Sequence, residues 1–524
     1  MSKRFPGRKL SLVRLALLIL VAGVVGVAAF DGWNRFADAR AASSGEPWFA
    51  GYVDATATPF YAFEDPSGPA EQNVVLSFIV ADHEDGCRPS WGGAYSLDEA
   101  AATMDLDRRI ARLAGSGGKV VISFGGLNND ELPAACTDPD WLLAASRTVV
   151  DRYQPAAIDP DIEGDDLANA EAGKRRAAAI AALQQEHREA GKDLKVWLTL
   201  PVAPTGLTPE GTAAVEQMLA GGAALKGVNI MTMDYGGSRG PSQSMLGASV
   251  AAARATHGQL TVLYRRAGED VGEQTLWRRI GLTPMIGQND VVGEVFDLEA
   301  PAGLNAFARE HGVGRMSMWS LNRDQTCSEN YGDTTRVSDS CSGVDQGGSS
   351  FAQVLANGMG GAAGTLDSAP EPAPSPSPAA TVVDDPETSP YPIWSEEASY
   401  VAEDRVVWKG KVYEAKWWTR GDVPNNPVLQ ASETPWSLIG PVLPGETPMP
   451  VVTAPAGLYP QWSPDRTYEK GDRVLYEGRI FEAKWWTRSD TPEAARQGSD
   501  SSPWAMFDNE QTEKVIAGKA GKSE

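Results

Sequence analysis

The chain has 524 residues, with 46 Lys and Arg against 69 Asp and Glu, for a formal net charge of −23. That charge works against nucleic acid or an anionic membrane surface as the main partner, while a neutral or weakly cationic polymer is tolerated. The length exceeds what one core holds and points to about two to four domains.

At the N-terminus a basic run, Lys3, Arg4, Arg8, Lys9 and Arg14, precedes an uncharged apolar stretch from Leu15 to Phe30. This is the pattern of an export signal, with a length between a signal-peptide core and a membrane span. Ala37-Asp38-Ala39 has the form of a cleavage site but stands well after the apolar run. Cleaved secretion and an uncleaved membrane anchor therefore both stay open. Either way residues 1–47 form a leader and spacer, and the bulk of the chain is expected outside the cytoplasm. The four cysteines, Cys87, Cys136, Cys327 and Cys341, suit that oxidising compartment. Their spacing matches no zinc pattern and only four histidines accompany them, so no metal site is expected. Pairing nearest in sequence gives Cys87–Cys136 and Cys327–Cys341; four free buried thiols are the alternative.

Over residues 48–359 short apolar runs alternate with Ala-rich helical stretches. The runs are Phe49–Val53, Val74–Val80, Lys119–Phe124, Ala157–Ile162, Lys195–Leu200, Gly227–Met233, Leu282–Ile286 and Arg315–Trp319. Helices are predicted over 98–114, 140–153, 170–190, 209–220 and 302–311, and most of 287–314 should be helical. Eight strands alternating with helices read as an α/β protein, a parallel (β/α)8 TIM barrel; a doubly wound open sheet is the rival. In a barrel the loops that follow the strands open on one mouth. Those loops hold Gly125-Gly126-Leu127-Asn128-Asn129, Asp161–Glu163, Asp234-Tyr235, Gln288-Asn289-Asp290 and Asn322-Arg323-Asp324.

The stretch Ile158–Gly164 places Asp159, Asp161 and Glu163 two residues apart, hence on one face of a strand. Three adjacent like charges raise the pKa of at least one, which suits a general acid at neutral pH. Spacing alone also allows a solvated acidic loop or a calcium site. Pro160 removes a ladder donor from a central strand, so a local irregularity is expected there.

Ser123-Phe124-Gly125-Gly126, then Asp159-x-Asp161-x-Glu163, then Met233-Asp234-Tyr235, then Trp319 on the last strand resemble glycoside hydrolase family 18. The resemblance covers about residues 49–355 and implies cleavage of β-1,4-linked N-acetylglucosamine polymers with retention. It implies substrate assistance, without an enzyme nucleophile and without a cofactor. Glu163 would protonate the glycosidic oxygen. Asp161, backed by Asp159, would orient the acetamide N–H, and Tyr235 would donate to the acetamide oxygen. Trp319 would form the floor of the cleft, with Met233, Asp234, Gln288, Asn289, Gly125 and Gly126 as further substrate contacts. Two departures stand out: Ala156 replaces the outermost Asp of the family's DxxDxDxE, and Gly236 follows Tyr235 where Asp or Asn is common. An α+β insertion that many members carry between strands seven and eight is absent, which implies a shallow, open cleft and endo-acting cleavage.

A Pro-, Ala- and Ser-rich stretch, residues 360–390, lacks large apolar residues and reads as a linker. Beyond it Trp394, Tyr400, Asp404, Val406, Tyr413, Trp417, Trp418 and Trp436 recur 68 residues later as Trp462, Tyr468, Asp472, Val474, Phe481, Trp485, Trp486 and Trp504. Two small β units follow, residues 391–440 and 460–508, joined by a second linker at 441–459. Residues 509–524 read as a disordered tail. Each unit is too small to bury all of its tryptophans, so some are exposed and available to stack on pyranose rings. The shared Ala-Lys-Trp-Trp-Thr string resembles the chitin-binding modules of carbohydrate-binding families 5 and 12. Strand alternation assigns one residue of each Trp-Trp pair to the core and one to ligand.

Taken together these residues imply a secreted or surface-held chitinase, expected to be monomeric, whose partners are chitin and N-acetylglucosamine oligomers. A chitin-binding protein with a weak or inactive barrel and an endo-β-N-acetylglucosaminidase acting on N-glycans are the rival readings.

Overall fold

The computed structural model describes residues 46–328, 336–360, 384–426, 432–448, 452–496, 501–507 and 509–520. The leader and most of the first linker lie outside these residues. No helix among the described residues is long and apolar enough to cross a membrane. The chain divides into two compact units, Met1–Glu371 and Pro372–Glu524.

The first unit is built on eight parallel strands. The first, β1, is the run Trp48–Phe49 and Gly51–Asp54. The others are β2 (Asn73–Ala81), β3 (Lys119–Gly125), β4 (Ala157–Asp161), β5 (Val196–Ala203), β6 (Leu225–Met231), β7 (Ile280–Thr283) and β8 (Arg315–Met316). Each pairs in parallel with its neighbours in sequence. The run 48–54 pairs with β8 at its start and with β2 at its end, so both flanks of the strand series meet there. An open doubly wound sheet has two edges and does not make this connection.

The helices between strands begin where the sequence supplies caps. Asp138 accepts from the backbone of Asp140 and Trp141 ahead of Pro139–Tyr153, Thr208 caps Pro209–Ala220, and Ser244 caps Met245–Arg266. Two expectations change. The predicted helix over 98–114 is two helices, Leu97–Thr103 and Leu106–Gly115, broken at Asp105, whose φ is +49°. The segment 287–314 is helical only over Ala300–His311; before that Gly287–Gln288 and Val295–Phe296 form an antiparallel ribbon. Outward residues of the strands, among them Leu76, Ile122, Ile158, Leu198, Ile230 and Leu282, join the helices in one large core. Inward residues form a second, small cluster of Trp48, Ala50, Tyr52, Val75, Val121, Ala157 and Trp197.

Pro160 does not disturb its strand. Ile158 N donates to Lys195 O and Ile162 N to Thr199 O, and the register with β5 is the same on both sides. The missing N–H removes one rung of a ladder that two flanking rungs keep aligned. Both expected disulfides are formed, Cys87–Cys136 and Cys327–Cys341.

The second unit holds two copies of one all-β fold. In the first, Arg405–Trp408, Lys411–Ala415 and Trp436–Pro441 form a three-stranded antiparallel sheet, beside the pair Ser399–Tyr400 and Thr419–Arg420. The second repeats this with Arg473–Tyr476, Arg479–Ala483 and Trp504–Met506, beside Thr467–Tyr468 and Thr487–Arg488. The contacts repeat as well. Trp436 Nε1 donates to Asp422 O and Trp504 Nε1 to Asp490 O, each at 2.8 Å. Tyr400 packs edge-on against Trp436 and Tyr468 against Trp504. The expected linker 441–459 is shorter than the composition indicated: Ala454, Leu458 and Tyr459 pack on Leu475 and Ile480 of the second copy. The expected disordered tail contains the helix Asn509–Ala520, whose Val515 joins the same cluster.

Candidate active site

A cleft of about 660 Å³ opens where β1, β2, β4, β5, β6 and β7 end. Asp161 and Glu163 line it, with Met233 and Asp234 after β6, Asp290 from the ribbon, and Trp319 after β8. Leu127, Asn128 and Asn129 border it from the loop after β3. Trp319 stacks on Phe78 at 5.6 Å between ring centroids and leans on Tyr52, forming an apolar floor.

Asp159 lies below the cleft with no exposure. Its carboxylate accepts from Tyr52 OH at 2.5 Å, from Thr199 Oγ1 at 2.7 Å and from Arg315 Nη1 at 2.8 Å. Asn229 Nδ2 donates to Thr199 Oγ1, and Thr283 Oγ1 donates to Asn229 Oδ1, so the buried polar layer reaches across β5, β6 and β7. These groups satisfy one another, as buried polar atoms must. Asp161, one step higher, differs: its Oδ1 is buried with no hydrogen-bond partner. Burial, then Glu163, then Asp159 push the Asp161 carboxyl well above the usual carboxylate range. Burial, followed by Asp234 and Asp290, raises Glu163 to about 7. Burial also raises Asp234, with Asp290 and Glu294 adding to the effect. The cleft thus holds carboxyls whose hold on a proton is raised by burial and by one another, above a carboxylate whose oxygens are fully hydrogen-bonded.

The structure rearranges several residues that the sequence assigned to substrate. Tyr235 does not reach the cleft. Its ring is buried, its OH lies 3.4 Å from Ser249 Oγ on the helix Met245–Arg266, and its backbone N–H donates to Glu294. Asp234 has φ of +48°, and this turn carries residue 234 into the cleft and residue 235 into the core. Asn289 is buried too, accepting from Asp234 N and donating to Met285 O and Gly287 O, so it holds the loop rather than a ligand. Gln288 is absent from the cleft wall; its backbone carbonyl accepts from Arg323 and its N–H donates to Ser342 O. Gly125 and Gly126 shape the site without lining it. Gly125 has φ of +101°, and a Cβ there would stand 2.2 Å from Asp161 O, so only glycine lets β3 close on the carboxylate strand. Asn322 and Asp324 serve the fold: Asn322 brackets the Asp54 backbone and Asp324 caps the helix Phe351–Leu355.

Residues the sequence reading missed are Tyr52, Phe78, Thr199, Asn229 and Arg315. Only their position on inward faces of separate strands unites them, and no local spacing marks it.

In the modules both members of each Trp-Trp pair are exposed: Trp417 by 44%, Trp418 by 56%, Trp485 by 46% and Trp486 by 58%. The alternation argument fails because these residues lie between strands, after Ala415 and Ala483 and before Thr419 and Thr487. Lys416 Nζ sits 5.0 Å above the Trp417 ring and Lys484 Nζ 4.9 Å above Trp485, covering one face of each.

Residues 393–437 and 461–505 match the model of carbohydrate-binding module family 5/12. The chain is 35% identical over 286 residues to a probable bifunctional chitinase/lysozyme of Escherichia coli, covering 53% of this chain and 31% of that protein. It is 35% identical over 259 residues to endochitinase 11 of Metarhizium anisopliae, covering 48% and 47%. The chain therefore spans about a third to a half of the length of these relatives. Its fold is similar to the catalytic domain of the hyperthermophilic chitinase of Pyrococcus furiosus, with a TM-score of 0.51 and 27% identity, over 60% of this chain and 97% of that one. The resemblance drawn from the sequence, a family 18 chitinase domain followed by two chitin-binding modules, agrees with these matches.

Proposed function

We propose that the chain is an exported chitin hydrolase whose first unit is a closed (β/α)8 barrel and whose two modules hold it on insoluble substrate. The observation that carries this reading is the file Asp159, Asp161, Glu163, which runs from the buried polar layer to a cleft floored by Trp319. Glu163, raised to about 7, retains the proton that a glycosidic oxygen needs on departure. The substrate's acetamide oxygen attacks the anomeric carbon as that bond breaks, and Asp161 Oδ1 accepts the acetamide N–H. Glu163, now a carboxylate, takes a proton from the water that opens the intermediate, and two inversions give retention. The contact to the substrate's acetamide group, assigned from the sequence to Tyr235, is reassigned to Asp234, because Asp234 faces the cleft and Tyr235 does not.

Between β7 and β8 the chain has room only for the short ribbon and one helix, which supports an open cleft and cleavage within chains. Two formed disulfides suit an oxidising compartment, whether the chain is released or held by its leader. Two exposed tryptophans per module, in two tethered copies, support avid adsorption: a second contact made through a short tether raises apparent affinity about a hundredfold without new contacts.

Digestion of soluble N-acetylglucosamine oligomers, with products followed by proton NMR, tests the reading. Initial release of the β-anomer at an internal bond is expected, with no release of glycans from a glycoprotein. Absence of hydrolysis, or initial release of the α-anomer, would overturn it. Removing residues after 390 should spare soluble oligomers and reduce attack on crystalline chitin.

A further inference from the structure

The carboxylate file does not end at Asp159. Beneath it stands Arg315, the first residue of β8, and neither side chain is exposed. Arg315 Nη1 lies 2.8 Å from Asp159 Oδ1, Nη2 lies 3.4 Å from Oδ2 and 3.1 Å from Tyr52 OH, and Nε donates to Ser317 Oγ at 2.9 Å. The rings of Trp48, Tyr52 and Trp197 surround the guanidinium at 5.3, 5.5 and 5.7 Å. A guanidinium does not lose its proton in a protein, and a buried one is retained only when paired.

We propose that Arg315 is a positioning residue for the reaction: it fixes Asp159 as a permanent anion, so that the proton the file carries stays on Asp161 and Glu163. This rests on the chitin-hydrolase reading above. Without the cation, Asp159 would be the most deeply buried carboxylate of the three and would take up a proton first. A proton on Asp159 lies away from the cleft and cannot reach the glycosidic oxygen. The groups facing the file are Tyr52 from β1, Ser123 from β3, Thr199 from β5, Asn229 from β6 and Arg315 from β8. Asp234 and Asp290 line the same cleft as Glu163. Arg315 is the single cation among them. At the outer position of the DxxDxDxE pattern the chain has Ala156, which precedes β4 and lies outside the file.

Two readouts on the full chain test this. In Arg315→Met the acidic limb of kcat/KM on a soluble oligomer should move up by about one pH unit or more, because a carboxyl that must be ionised now titrates nearer neutrality. Activity on that limb then falls about tenfold at fixed pH. Separately, carbon-13 NMR of labelled Asp carboxyls, without substrate, should show Asp159 not titrating between about pH 5 and pH 8 in the parent chain and titrating in Arg315→Met. The Asp159 signal is identified by its loss in Asp159→Asn. The double variant Asp159→Asn, Arg315→Met removes both charges, so it should fold and lack the new ionisation, with low activity at every pH. If Arg315→Met does not fold, Arg315→Lys keeps a charge with fewer bonds and should shift the Asp159 titration by a smaller amount in the same direction. An unchanged pH profile with a non-titrating Asp159 in the folded variants would overturn the proposal and leave Arg315 a packing residue. The NMR arm holds even if the parent chain hydrolyses nothing, so failure of the activity reading and failure of this one are distinguishable.

Discussion

Replacing Glu163 by Gln should do two opposite things. Activity should fall by about two orders of magnitude or more, since Gln keeps the shape and lacks the proton. Stability, by contrast, should rise, and only at higher pH. The carboxyl moves from 4.5 to about 7 on folding, because burial and the charges of Asp234 and Asp290 disfavour its ionised form. Below about pH 4.5 folded and unfolded chains both carry the proton, and Glu163 costs nothing. Between 4.5 and 7 the unfolded chain ionises while the folded one does not, so stability declines as pH rises. Above 7 the full difference is reached, about 3 kcal/mol at about 1.4 kcal/mol per pH unit. Gln carries no charge in either state and removes this decline. Urea unfolding followed by helical ellipticity suits the measurement, because almost all described helices belong to the first unit. The variant should match the parent chain near pH 4.5 and exceed it by about 3 kcal/mol near pH 8. An equal gap at both pH values would mean that the gain comes from packing and that the Glu163 carboxyl is unperturbed.

Asp234→Asn should lower kcat at least tenfold, while Tyr235→Phe should leave kcat within about threefold, since that hydroxyl makes one long contact to Ser249; a larger loss for Tyr235→Phe in steady-state kinetics would restore it to the site. Breaking Cys87–Cys136 with alanines should cost about 2–4 kcal/mol in denaturant titrations, as its loop spans 49 residues. Trp418→Ala with Trp486→Ala should reduce adsorption to chitin without lowering module stability by more than about 0.5 kcal/mol, because both rings are exposed. Trp436→Ala, a fully packed ring, should instead destabilise the first module by about 3 kcal/mol or more in thermal melts.

The eight apolar runs were legible because each is a local pattern bounded by turn chemistry, and their buried face does not depend on distant partners. The DxDxE face was legible for the same reason: a period of two puts Asp159 and Asp161 on one side of β4 wherever the strand is placed. The 68-residue repeat needed no structure at all, since identical strings fold alike, and the second copy does repeat the hydrogen bonds of the first. Where local periodicity stopped, the reading failed. Trp417 and Trp418 sit in a bend, so alternation had no strand to act on, and the tail beyond 508 forms a helix through contacts with Leu475 and Ile480. At the end of β6 one residue with positive φ, Asp234, decided that its own side chain enters the cleft and that of Tyr235 leaves it. The partners of Asp159 lay furthest from view. Tyr52, Thr199 and Arg315 are 107, 40 and 156 residues away, and only the side-by-side packing of separate parallel strands brings a cation under a carboxylate. Sequence determines which residues share a face of one element; the packing of elements decides which charges meet, because electrostatic energy depends on distance in space and not along the chain.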